Sequence, residues 1–216
     1  MAPRNNNPFQ PKDLDPTLAA MGPRSAMELK NLSHNVTFSE ETHCFKASIY
    51  INGKRMFSAS NGGNGGSNFY SPSDFGKGKE AFEESMAIAR EEAKQYTLKK
   101  IELGEDLQWA IDAFASEDED GNPSQSNELI DWLIADLINE QLTLKEMRKT
   151  LKKKVTVYDP KSNDILHLGR DKPTDEILER YKAHFVLQRN DKNAKDWVWL
   201  NTIPEAEAYK YWRTAS

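Results

Sequence analysis

The chain has 216 residues, 38% of them hydrophobic and 29% charged, with 34 acidic side chains against 29 lysines and arginines. That composition supports a modest core under a heavily solvated surface, and the absence of eighteen consecutive apolar residues excludes a membrane-spanning helix. With Cys44 as the lone cysteine there is no internal disulfide, and Met1 to Asn7 lack the apolar stretch of a secretory signal, so a cytoplasmic setting is expected.

Residues 1–28 gather prolines and asparagines without a period of 2 or 3.6, and read as an arm outside the fold. Ordered structure is expected from about Val36. Phe45, Ala47, Ile49 and Ile51 alternate on one face of an extended segment, Asn52-Gly53 suits a type I′ turn, and Lys54 to Ser60 returns as the second strand of a hairpin. Asn61-Gly62-Gly63-Asn64-Gly65-Gly66-Ser67-Asn68 has too many glycines to hold a ladder and reads as a loop.

From Gly78 to about Lys100, Phe82, Met86, Ala89 and Ala93 recur at helical spacing opposite charged residues. Further helices are expected from Glu105 to Ala115 and from Asn127 to Asn139. Thr143-Leu144-Lys145-Glu146 has the form of a capping box opening a fourth helix to about Lys153. Val155–Tyr158 and Ile165–Leu168 then read as a hairpin, Thr174 as the cap of a short helix to about Tyr181, His184–Gln188 as a strand, and Thr202-Ile203-Pro204-Glu205 as the capping box of a terminal helix. Trp197 and Trp199 fall on one face of a strand. Strands, then helices, then strands without βαβ alternation predict an α+β fold, with a hairpin-plus-helix region over 29–142 and a smaller α+β region over 143–216, or one continuous domain.

No catalytic or metal motif stands out. The glycine loop lacks the spacing of a phosphate-binding loop, and Gly76-Lys77-Gly78-Lys79 is an ordinary helix entry. Asp118-Glu119-Asp120-Gly121 has half the form of a calcium loop but places Ser116 and Asn127 where the first and twelfth ligands belong. His34, His43, His167 and His184 have no pair at metal-ligand spacing, so neither a metal nor a cofactor is expected. Cys44 could meet His167 or His184 in a catalytic pair, but a small buried cysteine in a strand is the simpler reading.

Charge is the least ordinary feature. Residues 101–144 hold twelve carboxylates and no lysine or arginine, and the basic run Lys145, Arg148, Lys149, Lys152, Lys153 and Lys154 follows at once. Such blocks focus potential of opposite sign. A face built from Asp106, Asp112, Asp131, Asp136 and Glu140 is expected to meet a basic surface on a partner protein, with Tyr209 and Trp212 as aromatic anchors. The run Lys145–Lys154 is a candidate contact for nucleic acid.

The segment Val36–Tyr70, with Ser39-Glu40-Glu41-Thr42-His43-Cys44-Phe45 leading into the hairpin and then the glycine loop, resembles small, functionally uncharacterised proteins encoded by bacteriophages and prophages. The resemblance covers about a sixth of the chain and implies a viral origin without a known activity. A viral origin turns the expectation toward a non-enzymatic protein that occupies a host protein surface, including an inhibitor of antiviral defence. The alternatives are a nucleotide or small-ligand binder using Asn61 to Gly66, and an enzyme centred on Cys44.

Overall fold

A computed structural model describes residues 24–107, 109, 110, 112, 126–188 and 194–215. The fold is α+β, and the described chain divides into two compact units, the first ending at Ile138 and the second starting at Asn139. No described helix is long and apolar enough to cross a membrane.

The first unit is built on an antiparallel sheet of four strands in the order β1 (Met27–His34), β2 (Phe45–Ile51), β3 (Lys54–Asn61), β4 (Phe69–Pro72). The expected hairpin is β2 and β3. Asn52 and Gly53 turn it with φ of 51° and 71°, the left-handed values that this pair tolerates best. Phe45, Ala47, Ile49 and Ile51 are all buried, as their alternation requires, while a register shift beyond Ile49 lets Met56 and Phe57 of β3 be buried as neighbours.

Two strands escape the sequence pattern. The start of β1 at Met27, which is 2% exposed, corrects both the arm drawn to residue 28 and the expected start of order near Val36. A bulge between Lys30 and Ser33, with Asn31 at φ 54°, breaks the period-2 alternation that would have marked this strand. The edge strand β4 has four residues and ends in Pro72, which leaves too little pattern to read. Residues 1–23 of the expected arm lie outside the described residues.

Helix α1 (Gly78–Glu102) lies where its spacing predicts and buries Met86, Ala89, Ala93, Tyr96, Thr97 and Lys100. Its Phe82 ring meets Phe57 of β3 edge to face at 6.4 Å. Of the helix expected over Glu105 to Ala115, Glu105–Leu107 are not helical, Trp109, Ala110 and Asp112 are, and the rest lies outside the described residues, as does the Asp118–Gly121 loop.

The two helices expected on either side of Thr143 are one, α2 (Glu128–Leu151). Neither glycine nor proline interrupts residues 139–143, and Ile130, Leu133, Ile134, Leu137, Ile138, Leu144 and Met147 continue one buried stripe, so the capping-box pattern at Thr143 sits inside a helix. The division between the units also falls inside it.

In the second unit β5 (Val155–Asp159) is the central strand of a three-stranded antiparallel sheet, paired with β6 (Asp164–Leu168) on one side and β7 (Val198–Trp199) on the other. All five residues of β5 are buried, because both its faces are covered. Val155 and Val157 pack with Leu168, Leu178 and Trp199, and Trp197 joins this cluster. On the opposite face Tyr158 packs with Leu144, Met147, Leu200, Ala208, Tyr209 and Trp212.

Thr174 caps α3 (Asp175–Lys182), its hydroxyl accepting from the Ile177 amide at 3.3 Å. The strand expected at His184–Gln188 is instead a π-helical continuation, Ala183–Gln188. A short apolar run carries no periodicity to separate strand from helix, and here it follows a helix without a breaker. The last helix, α4 (Glu205–Ala215), starts at Glu205, where the Pro204 carbonyl accepts from Glu207 and Ala208. Thr202 is not its cap. A 3₁₀ turn over Leu200–Thr202 turns that hydroxyl back to donate to the Trp199 carbonyl at 2.9 Å.

Candidate functional site

The four-stranded sheet has one end where β1 and β3 finish and β2 and β4 begin, with His34, Phe45, Asn61 and Phe69 at or beside the last pairs. The glycine loop and residues 35–44 are both attached there. Gly63, at φ 92°, is buried, and its carbonyl accepts from the amides of Glu40, Glu41 and Thr42 at 3.0, 3.0 and 3.3 Å. Its own amide donates to Asn61 Oδ1 at 2.8 Å. Asn61 joins the parts: Oδ1 also accepts from the Thr42 hydroxyl at 2.9 Å, while Nδ2 donates to the Gly66 carbonyl and to Asn68 Oδ1, both at 3.1 Å. The Gly63 amide is thus committed within the loop, which argues against a ring of free amides waiting for phosphate.

Beside this loop lies a cleft of about 440 Å³, with Glu40, Glu41, Thr42, Asn61, Asn68 and Asp131 among its lining residues. Asp131 reaches it from the first turn of α2. There it accepts a short hydrogen bond from the Tyr70 hydroxyl and a longer one, 3.4 Å, from the Asn68 amide. Burial pushes the Tyr70 hydroxyl far above its ordinary pKa, reinforced by the neighbouring carboxylate. Burial also raises the Asp131 carboxyl above its ordinary value, and the bonds from Tyr70 and Asn68 oppose that shift without cancelling it.

A carboxyl raised in the folded state contributes stability that is full below its unfolded pKa and is lost as pH rises through the folded one. Asp131→Asn cannot ionise and keeps the acceptor oxygen, so its melting temperature should gain on that of the parent chain as pH rises from the acid side through the folded pKa of Asp131. A difference that stays constant across that range would show that this carboxyl is not the titrating group.

Of the five carboxylates expected on one acidic face, two are exposed and three are not. Asp106 and Asp112 are exposed, but Asp131 faces the cleft and Asp136 accepts from the Tyr96 hydroxyl at 2.7 Å, with Lys100 Nζ at 3.7 Å. Glu140, 8% exposed, belongs to the second unit and pairs with Arg213 at 3.6 Å. Carboxylates on helix faces that pack inward are held by partners there, so a charge count along the chain overstates the exposed charge. The aromatic anchors are corrected for the same reason: Tyr209 is 0% and Trp212 7% exposed, both in the core of the second unit.

The basic run closes α2, where positive charge favours the helix C-terminus. Lys145, Lys149, Lys152, Lys153 and Lys154 are exposed, whereas Arg148 pairs with Glu205 at 2.5 Å. Asn201 Nδ2 caps this end, donating to the carbonyls of Leu151 and Lys154 at 2.9 and 3.0 Å. Cys44 precedes β2 and is half-buried, not inside the strand as expected. It lies in the first unit and His167 and His184 in the second. The histidines do form a pair that spacing along the chain does not reveal, because His34 and His43 meet only through the β1–β2 register.

Comparison with family models, with curated proteins and with solved structures gives no match to this chain.

Proposed function

We propose that this chain is a binding protein whose contact is the cleft at the glycine-loop end of the four-stranded sheet, and that the cleft takes the cationic end of a lysine or arginine on a partner protein. The observation that carries this reading is the convergence of Glu40, Glu41 and Asp131 on one cleft. Carboxylates bind ammonium and guanidinium groups through charge-assisted hydrogen bonds and repel phosphate, which weighs against a nucleotide. Phe38 and Phe69, 59% and 79% exposed, neighbour the cleft-lining Ser39 and Asn68 in the chain and offer an apolar rim of the kind that strengthens protein contacts. The resemblance to phage-encoded proteins supports a host protein as the partner, with inhibition of a host defence as one consequence of covering its surface.

Glu40 and Glu41 are exposed side chains, so Glu40→Gln with Glu41→Gln should change stability by no more than about 0.5 kcal/mol. Added arginine amide or lysine amide should shift the backbone amide resonances of residues 61–68 in the parent chain. In the double variant the affinity should fall about tenfold, equivalent to about 1.4 kcal/mol. Equal binding by both proteins, or no shift in either, rejects the reading.

A further inference from the structure

His34 ends β1 and His43 stands two residues before β2. The pairing of His34 with Phe45, and a hydrogen bond from the Asn35 amide to the Cys44 carbonyl at 2.9 Å, hold the two segments side by side. The rings meet edge to face, with His34 Nε2 3.1 Å from His43 Nδ1. Ser39 indicates where the proton between them sits. Its hydroxyl donates to the Asn35 carbonyl at 2.8 Å, accepts from the Cys44 amide at 2.9 Å, and lies 3.4 Å from His34 Nε2. Since its only hydrogen is committed, Ser39 can offer His34 nothing but a lone pair, which makes His34 Nε2 the N–H and His43 Nδ1 the acceptor.

We infer that this notch is a binding site for a first-row transition metal ion of the zinc or copper type. Metal–nitrogen bonds of 2.0–2.1 Å at a tetrahedral angle separate two imidazole nitrogens by about 3.3 Å. The observed 3.1 Å is within a few tenths of an ångström of that, and seating the ion requires the two lone pairs to meet off the N···N line, at about 35° to it for each ring. The ion replaces the shared proton, which transfers through solvent to Nδ1 of His34. Both rings stay neutral, and the nitrogens facing the ion each give a lone pair.

Among the described residues no three histidine, cysteine, aspartate or glutamate side chains are grouped to hold a metal, so the pair supplies two ligands and water completes the shell. Imidazole selects zinc, copper or nickel over magnesium and calcium, which prefer oxygen. His43 also lines the cleft of the proposed contact, but the inference rests on the histidine pair, and its readout, coordination at two ring nitrogens, fails or holds separately from binding of a cationic side chain.

The test is calorimetric titration of the full chain with zinc, with magnesium as the control ion. One equivalent of zinc should bind and magnesium should not. His34→Ala and His43→Ala should each weaken zinc at least about tenfold, the scale already seen when outer-shell partners of a metal site are removed. Cys44→Ser should leave binding unchanged, which separates this site from simple thiolate capture. Should either alanine variant fail to fold, the parent chain still decides the matter: ring-nitrogen resonances must show coordination at Nε2 of His34 and Nδ1 of His43. Absence of zinc binding, retention of full affinity in His34→Ala, loss in Cys44→Ser, or unshifted ring nitrogens overturns the site.

Discussion

Gly63→Ala should destabilise the first unit by about 3 kcal/mol or more and dismantle the cleft with it. Two effects add. At φ 92° an L-residue is strained, by about 1–3 kcal/mol. A methyl group would also overlap the Phe38 carbonyl oxygen and stand 2.9 Å from Cys44 Cβ, neither of which is the loose end of a side chain that could swing away. Shifting the loop to make room would break the bonds that the Gly63 carbonyl accepts from Glu40, Glu41 and Thr42.

Gly62 is the internal control, since an added Cβ there meets nothing within 4 Å and its φ is not positive. Gly62→Ala should therefore fall within about 0.5 kcal/mol of the parent chain. Urea unfolding of the two variants, with amide exchange at residues 40–42, makes the comparison. Equal stability of the two would mean that Gly63 is not pinned between Phe38 and Cys44.

Tyr209→Ala should cost the second unit about 3–5 kcal/mol, the usual penalty for emptying a buried aromatic position. Tyr209 is fully buried among Leu144, Met147, Tyr158, Leu200 and Trp212, and its hydroxyl donates to the Glu140 carbonyl at 3.1 Å. Tyr209→Phe separates the two contributions, because it keeps the ring and removes only the hydrogen bond, for about 1 kcal/mol. Thermal unfolding of the pair should rank them in that order and by that gap. If Tyr209→Ala loses no more than about 0.5 kcal/mol, as a surface substitution would, the side chain is an exposed anchor after all.

Local chemistry by itself determined the elements whose signals lie within a few residues. The alternation of Phe45, Ala47, Ile49 and Ile51, the Asn52-Gly53 turn, the spacing of Met86, Ala89 and Ala93, and the Thr174 cap all predict what is observed, and with them the α+β class. The glycine loop was legible too, as a segment unable to pair.

Only the tertiary structure decided the elements that depend on partners distant in sequence. β1 is a strand because β2 offers it an edge, despite a bulge that erases its alternation, and α2 passes through the Thr143 pattern because Leu144 and Met147 are buried on the same stripe as Ile134 and Ile138. The site depends on distant partners as well: His34 meets His43 through strand register, and Asp131 reaches Tyr70 from a residue sixty-one positions along the chain. The charge of Asp136 and Glu140 was visible from the start. Its use could not be, since a carboxylate on a helix belongs to solvent or to a buried partner according to what packs against that helix, and Lys100 and Arg213 arrive only with the fold.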